Sequence, residues 1–299
     1  SNDICSLIKN KNRFTITCEI LLDSRGGALN FKIYESIIRV SSRLTYEQVD
    51  QFFEIGHLKV GKKQKLENEL LLYLKISKLL RQKRLNRGMI DFNLPESKFV
   101  FDEKKQLVNI VRHYQSATQK LIEQFMLEAN EAVGRFCHQQ QIPAIWRNHV
   151  DPVSSDIEQI KQVLWDKKIK KSNLSNGRNI NELLSQYRDS DQAYLIDKII
   201  LKTMSQARYD VFPKKHFGLG TDYYCHFTSP IRRYSDLIVH RSIKAFQKTD
   251  RKIVIKQELA DHLSSIERIA VKAERDVEKL KRLIFVYQQL GNIFTGVIS

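Results

Sequence analysis

The 299-residue sequence predicts an α+β fold, because strand patterns are concentrated near its beginning and helical patterns fill the rest. Apolar and polar residues alternate over residues 13–22, and the alternation resumes at Leu29 after the turn of residues 23–27, which indicates a half-buried hairpin. Near the other end, apolar residues between Leu259 and Tyr287 keep the four-three spacing of one long amphipathic helix.

The residues between these two features continue the same order of elements. We expect a short helix over residues 44–53, a longer helix from Gln64 to Arg87 and a second hairpin over residues 99–110. Helical patterns then predict three further helices, over residues 122–136, after the capping box Ser155-x-x-Glu158, and over residues 194–207. Gly291 is placed to end the long helix, and residues 292–299 have the pattern of a strand that opens another module.

The net charge favours a polyanionic partner. The chain has 50 Lys and Arg against 34 Asp and Glu, which gives a formal charge of +16. Basic side chains gain free energy when they release the counterions condensed on phosphates, so nucleic acid is the favoured partner. A basic protein from a lysine-rich proteome is the alternative interpretation of the same charge.

Cysteine usage and hydropathy bear on the cellular compartment. The four cysteines are scattered and form no CxxC pair, which predicts neither a zinc site nor a disulfide framework and favours a reducing, cytoplasmic location. No apolar run approaches the length that crosses a bilayer, so no membrane association is expected.

The segment of residues 216–241, HFGLGTDYYCHFTSPIRRYSDLIVHR, carries the strongest chemical signal. Ser229 followed by Pro230 predicts a helix start with Ser as the N-cap, which places Arg232 and Arg233 in the first helical turn. Cations oppose the helix dipole there, so two adjacent arginines suggest a bound phosphate. The alternative is a pair of surface arginines bound to carboxylates such as Asp236.

The same segment contains histidines and aromatic residues that open further alternatives. Each histidine is either an acid–base group or a structural residue, and each aromatic ring either stacks on a base or belongs to the core. The residues concerned are His216, His226 and His240, and Tyr223, Tyr224, Phe227 and Tyr234.

The stretch HFTSPIRRYSDLIVHR resembles the signature of the ribonuclease II / ribonuclease R family, and the HFGLG spelling leans toward the ribonuclease R branch. Other blocks occur in the family's order and spacing, so the resemblance covers essentially the whole chain. These blocks are residues 1–7, Tyr34-Glu35-Ser36, residues 43–46, residues 121–130, residues 204–207 and Ala273-Glu274-Arg275-Asp276.

The resemblance implies a mixed-sheet α+β catalytic domain with several long helices over residues 1–291, lacking its N-terminal metal-binding part. Residues 292–299 would be the first strand of a C-terminal OB-fold RNA-binding module. The implied activity is processive, metal-dependent 3′→5′ hydrolysis of single-stranded RNA to nucleoside 5′-monophosphates. The implied partner is single-stranded RNA, and we expect a monomer.

The resemblance also implies roles for individual residues. Arg232 matches an arginine at the scissile phosphate, and Glu123 and Glu274 match glutamates near the active site and the final nucleotides. These three are the candidate catalytic residues. The candidate substrate-binding residues are Tyr46 and Phe92, which match rings that clamp terminal nucleotides, and Ser229, Arg233 and Tyr234 beside Arg232.

Two departures from the family pattern concern single residues. Gln124 follows Glu123 where the family often has a second glutamate, and Val150 replaces a glutamate after Arg147-x-His149. The matching position for the functional glutamate is Glu123, so the first departure is expected to be harmless. The second puts any role of that loop in doubt.

The third departure concerns the metal. The family holds magnesium with clustered aspartates in a DFDDA-like run, which would precede Ser1, and the nearest pair here, Asp189-x-Asp191, has the pattern of a turn. We therefore expect Mg²⁺ as cofactor with ligands upstream, and little activity from this chain alone. A non-catalytic RNA-binding relative remains the alternative function, and aspartates upstream would discriminate the two.

Overall fold

The computed structural model describes residues 3–58, 64–166, 174, 176–249 and 253–293. Six strands and eight α-helices are assigned within these residues, with a short 3₁₀ helix at Phe217–Leu219. The elements are β1 (Asn12–Leu22), β2 (Ala28–Arg39), α1 (Tyr46–Ile55), α2 (Gln64–Arg87), β3 (Glu96–Phe101), β4 (Leu107–His113), α3 (Ala117–Gln139), β5 (Trp146–Asn148), α4 (Ser154–Asp166), α5 (Gly177–Tyr187), α6 (Ala193–Thr203), β6 (Arg208–Asp210), α7 (Tyr234–Thr249) and α8 (Gln257–Tyr287).

The described strands form three separate antiparallel pairs, β1–β2, β3–β4 and β5–β6, in place of the expected mixed sheet. Both predicted hairpins are present, and the first one pairs Asn12 with Arg39 at its open end. Short turns join the strands of the two hairpins, whereas β5 and β6 pair although α4, α5 and α6 lie between them in the chain.

Helix α3 is the centre of the domain, and it begins at a capping box in which Ser116 and Gln119 satisfy each other's backbone N–H groups. Eleven of its residues are buried. On one side it packs against α2 through Arg84, whose side chain is fully buried. The Arg84 guanidinium bonds Gln124 Oε1 at 2.6 Å, Glu128 Oε2 at 2.6 Å and Glu131 Oε1 at 3.2 Å.

Two hydrophobic clusters flank this helix pair. One gathers apolar residues of α4, α5 and α6, among them Ile160, Leu183 and Ile196. The other lies between the first hairpin, α3 and α7, and includes Val133 and Ile243.

The predicted capping box at Ser155 is wrong, because α4 already begins at Ser154.

Helix α8 confirms the long amphipathic helix expected from the four-three spacing, but only Ala260 and Ser264 are buried in it. Its beginning is fixed by the Ser264 hydroxyl, which accepts from the Tyr209 N–H. Further along, Lys281 lies over the Phe99 ring of β3, with 5.1 Å between the ammonium and the ring centroid. The predicted strand of residues 292–299 lies largely outside the described residues.

Candidate nucleic-acid interface

A cavity of about 360 Å³ brings two of the predicted site residues together. Phe92 and Glu123 both line it, the first from the segment after α2 and the second from α3. Phe92 is partly buried and also packs against the cluster of α4–α6, so one ring contacts both core and cavity. Charged side chains form much of the remaining wall, among them Arg81, Asp91, Lys120 and Arg188.

The surroundings of Glu123 raise the pKa of its carboxyl. Burial raises the pKa of the Glu123 carboxyl above its ordinary value, and the nearby charge of Asp91 raises it further. The positive charges of Arg84, Lys120 and Arg81 act in the opposite direction and only partly offset the rise. A protonated carboxyl can donate a hydrogen bond inside the cavity, whereas an ionised one would repel phosphates.

Phe92 sits on a stretch of chain that is fixed on both sides. The carboxylate of Asp91 is bound by Arg81 and, at 3.2 Å, by Arg188 of the segment after α5. The backbone N–H of Asp91 donates to Asn181 at 2.9 Å, and that of Asn93 donates to Asp197 at 3.3 Å. The backbone on both sides of Phe92 is therefore held by hydrogen bonds and ion pairs.

The arginine pair lies on a turn that precedes α7, which corrects the predicted helix start. Helix α7 begins at Tyr234, five residues after the predicted N-cap Ser229. The Ser229 carbonyl accepts from the N–H groups of Arg232 and Arg233, at 3.3 and 3.0 Å. The Ser229 N–H donates to the buried Asp236 carboxylate at 2.8 Å, and this contact draws residues 229–233 into a turn of their own.

The two arginines have different surroundings. Arg233 donates to Asp236 at 2.8 Å, so the alternative of a carboxylate-bound arginine holds for this residue. Arg232 is exposed, and within the described part of the chain no carboxylate lies at ion-pair distance from it. Arg232 is therefore the one of the pair whose guanidinium is open to a ligand.

Most of the aromatic residues in this segment belong to the core. Tyr224 and Phe227 are buried, and Tyr223 stacks on His138 with 3.9 Å between ring centroids. Tyr234 alone among the four is well exposed, at 48% of its surface. Of these rings, Tyr234 is the candidate for stacking on a base.

The histidines are unsuited to proton transfer near neutral pH. Burial lowers the pKa of His216 to about 3, and the charges of His149 and Arg147 add to the shift. Burial lowers the pKa of His226 to about 2, with further lowering by Arg233 and Arg147. Both imidazoles are neutral in the folded protein, and the structure supports the structural interpretation for them.

Tyr46 and Glu274 lie on elements outside the cavity wall. Tyr46 is the first residue of α1 and is 49% exposed, and its helix is tied to α3 where Asp50 accepts from the Thr118 hydroxyl at 2.7 Å. Glu274 is exposed on α8. Sequence reasoning missed Asp91 and Asn130, because the contacts that make them important come from residues far away in the chain.

Comparison with known proteins decides the family. The RNB domain matches residues 1–249. Ribonuclease R 1 of Lactococcus lactis subsp. lactis (strain IL1403) is 33% identical over 309 residues, and ribonuclease R of Escherichia coli (strain K12) is 32% identical over 321 residues. Both alignments cover the whole chain. This chain belongs to the RNB-domain family.

Solved structures agree with the RNB assignment. Mycoplasma genitalium RNase R in complex with ribose-methylated single-stranded RNA superposes with a TM-score of 0.92 at 26% identity, over 98% of this chain and 47% of that one. Its complex with double-stranded RNA gives a TM-score of 0.93. The chain spans 38% of the Lactococcus protein and 39% of the E. coli protein.

Two further properties of the RNB domain follow from the described residues. They contain no group of three or more His, Cys, Asp or Glu side chains arranged to hold a metal ion. The donor set of this part of the chain therefore does not fit a metal. No helix in the same ranges combines the length and apolar character needed to cross a membrane.

Proposed function

We propose that this RNB domain belongs to a processive, metal-dependent 3′→5′ exoribonuclease that hydrolyses single-stranded RNA to nucleoside 5′-monophosphates. The observation that carries the proposal is the cavity shared by Phe92 and Glu123, lined partly by α3, together with the exposed Arg232 on a turn whose preceding residues are anchored to the same helix. The family assignment and the RNA named in the M. genitalium structures support it.

Each candidate residue then has a distinct role. Phe92 and Tyr46 stack on bases near the 3′ end, and Tyr234 extends this surface beside the arginines. Glu123, whose pKa is raised by partial burial, contacts the last nucleotide from the cavity wall. Arg232 grips two phosphate oxygens with its planar fork. Ser229 and Arg233 shape the turn that presents Arg232, and Glu274 acts near the last sugar-phosphates.

Charge supports RNA as the substrate. The excess of +16 gives affinity for any single strand through its phosphates, and that affinity should weaken steeply with salt. The proposal includes Mg²⁺ as cofactor, held by residues outside those described, since the donor set here does not fit a metal. It also includes a cytoplasmic monomer and an OB-fold module beginning at residues 292–299.

The test compares the two neighbouring arginines in the protein expressed from the complete open reading frame. Arg232→Lys keeps the charge and loses the bidentate geometry. The activation free energy of single-turnover cleavage should therefore rise by about 2–4 kcal/mol, while RNA affinity changes little. Arg233→Lys is the matched control and should be milder, because Arg233 is bound to Asp236. Near-normal cleavage by Arg232→Lys would contradict the phosphate-fork role.

A second measurement separates the enzyme from a non-catalytic RNA-binding relative. The 299-residue chain by itself should bind end-labelled single-stranded RNA without shortening it, even with magnesium. The complete protein should release mononucleotides under the same conditions. If the complete protein also binds RNA and leaves it intact, the non-catalytic alternative is correct.

A further inference from the structure

Asn130 is a buried polar residue of α3 whose side chain holds the strand of chain that leads into the arginine turn. It is 2% exposed. Its Oδ1 accepts from the N–H of Phe227 at 2.9 Å and from the N–H of Thr228 at 3.2 Å, and its Nδ2 donates to the Tyr224 hydroxyl at 3.0 Å. One short side chain thus satisfies three partners within five residues.

The opposite side of the same stretch is held by α7. The Nε2 of His240 lies 2.8 Å from the Phe227 carbonyl, and Asp236 accepts from the Ser229 N–H at 2.8 Å. The Ser229 carbonyl in turn accepts from the Arg232 N–H. The backbone from Phe227 to Arg232 is therefore fixed by a continuous series of hydrogen bonds that starts at Asn130.

The position of Asn130 along α3 relates the turn to the cavity. Asn130 follows Glu123 by seven residues, which in an α-helix is about 10.5 Å along the axis and almost two full turns, so both point to the same side. One turn further, Gly134 allows the chain to come close: a Cβ at this position would lie 2.9 Å from the Tyr223 carbonyl oxygen. This close approach brings the stretch within reach of a side chain as short as asparagine.

We propose that Asn130 is the positioning residue for Arg232: it sets the place of the arginine turn relative to the Glu123 cavity. This inference rests on the phosphate-binding role proposed for Arg232. Asn130 itself is 2% exposed, and its polar atoms are engaged by Tyr224, Phe227 and Thr228, so it acts through the backbone of the turn. Without its Oδ1, the buried N–H of Phe227 and the partly buried N–H of Thr228 lose their acceptor, and the turn shifts to satisfy them elsewhere.

A double-mutant cycle tests the inference in the protein expressed from the complete open reading frame. Asn130→Ala should slow single-turnover RNA cleavage by about tenfold when Arg232 is present, and by less than about twofold in an Arg232→Ala background. A residue that merely stabilises the fold would slow both backgrounds equally. Asn130→Asp keeps the acceptor for both N–H groups and should retain most of the cleavage rate. If Asn130→Ala does not fold, Asn130→Ser is used in the same cycle with the same criterion.

Asn148 provides the matched control. It is equally a buried asparagine that holds a loop, since its Nδ2 donates to the Phe212 carbonyl at 2.9 Å and its Oδ1 accepts from the Lys214 N–H at 3.0 Å. In the double variant, the fold-reductions in cleavage rate caused by Asn148→Ala and by Arg232→Ala should multiply.

The outcomes separate two failures. If Arg232→Ala slows cleavage but the Asn130→Ala effect multiplies with it, only the positioning role is overturned. If Arg232→Ala leaves cleavage unchanged, the proposed role of Arg232 is wrong and the inference about Asn130 is overturned with it.

Discussion

Helices α3 and α8 both carry candidate site glutamates, but they are supported in opposite ways. Helix α3 has eleven buried residues, and charged and amide side chains bind it to α2 and to the arginine turn. Helix α8 is longer, at 31 residues, yet has two buried residues, and apolar side chains such as Leu283 and Tyr287 are exposed on it. The same amphipathic pattern therefore predicts a helix without predicting how deeply that helix is packed.

The difference matters for function because preorganisation depends on packing. Glu123 faces a cavity whose walls are fixed by ion pairs and hydrogen bonds, and its pKa responds to that setting. Glu274 lies on an exposed surface. Both glutamates are exposed to solvent, but Glu123 also lines a cavity whose charged side chains act on the pKa of its carboxyl.

The largest expected difference between α3 and α8 is in how much their ion pairs contribute to the free energy of unfolding. Arg84→Ala removes the only fully buried cation that binds Glu128 and Glu131 among the described residues, although Lys83 and Arg87 still contact these carboxylates, and should lower the free energy of unfolding by about 3 kcal/mol. Arg282→Ala removes an exposed pair with Glu278 on α8 and should cost less than about 1 kcal/mol. Urea unfolding of both variants measures the two losses of unfolding free energy. Equal losses would show that ion pairs on α3 and α8 do not differ in their contribution.

RNA affinity provides a second comparison, between the candidate binding rings and an exposed ring of α8. If Phe92 and Tyr46 stack on bases as proposed, Phe92→Ala and Tyr46→Ala should each weaken binding of single-stranded RNA by about 1–3 kcal/mol. Tyr287→Ala, at a ring 75% exposed on α8, is the control and should leave affinity unchanged. If Phe92→Ala and Tyr46→Ala bind RNA as the original protein does while remaining folded, those rings do not clamp the RNA.

The pH dependence of the free energy of unfolding provides a third comparison. The folded-state pKa values of His216 and His226, about 3 and about 2, lie below the ordinary value, so the unfolded chain takes up protons first as the pH falls. The stabilisation is complete above about pH 6.5 and is lost as the pH falls below it, by about 1.4 kcal/mol per pH unit for each histidine. His226→Gln should remove one such contribution from the slope measured by unfolding between pH 6 and 5.

Helix α8 again supplies the control for this measurement. Val277 is exposed there and has no ionisable group, so Val277→Ala should leave the slope unchanged. A slope that is the same in the His226→Gln, His216→Gln and original proteins would mean that these imidazoles accept protons in the folded state.

The sequence predicted the local elements well because their causes are local. Helix α2 has the predicted bounds, Gln64–Arg87, and both hairpins follow from alternation and turns. The presence of Phe92 and Glu123 in one cavity is a result of the structure, since periodicity carries no information on which helices meet. The helix start at Ser229 was mispredicted because a capping preference competes with the Asp236 carboxylate, which binds Ser229 and Arg233 and ends the turn before α7 begins.

Two of the contacts that α8 makes, one near each end, make the length of helix between them important. Ser264 is bound to β6 and Lys281 lies over β3, so seventeen residues, or about 25 Å of helix, set the spacing between those strand pairs. One added residue between them would rotate Lys281 by about 100° away from the Phe99 ring and move it by about 1.5 Å. Loops elsewhere in the chain tolerate insertions, but this stretch should accept them only in steps of whole helical turns.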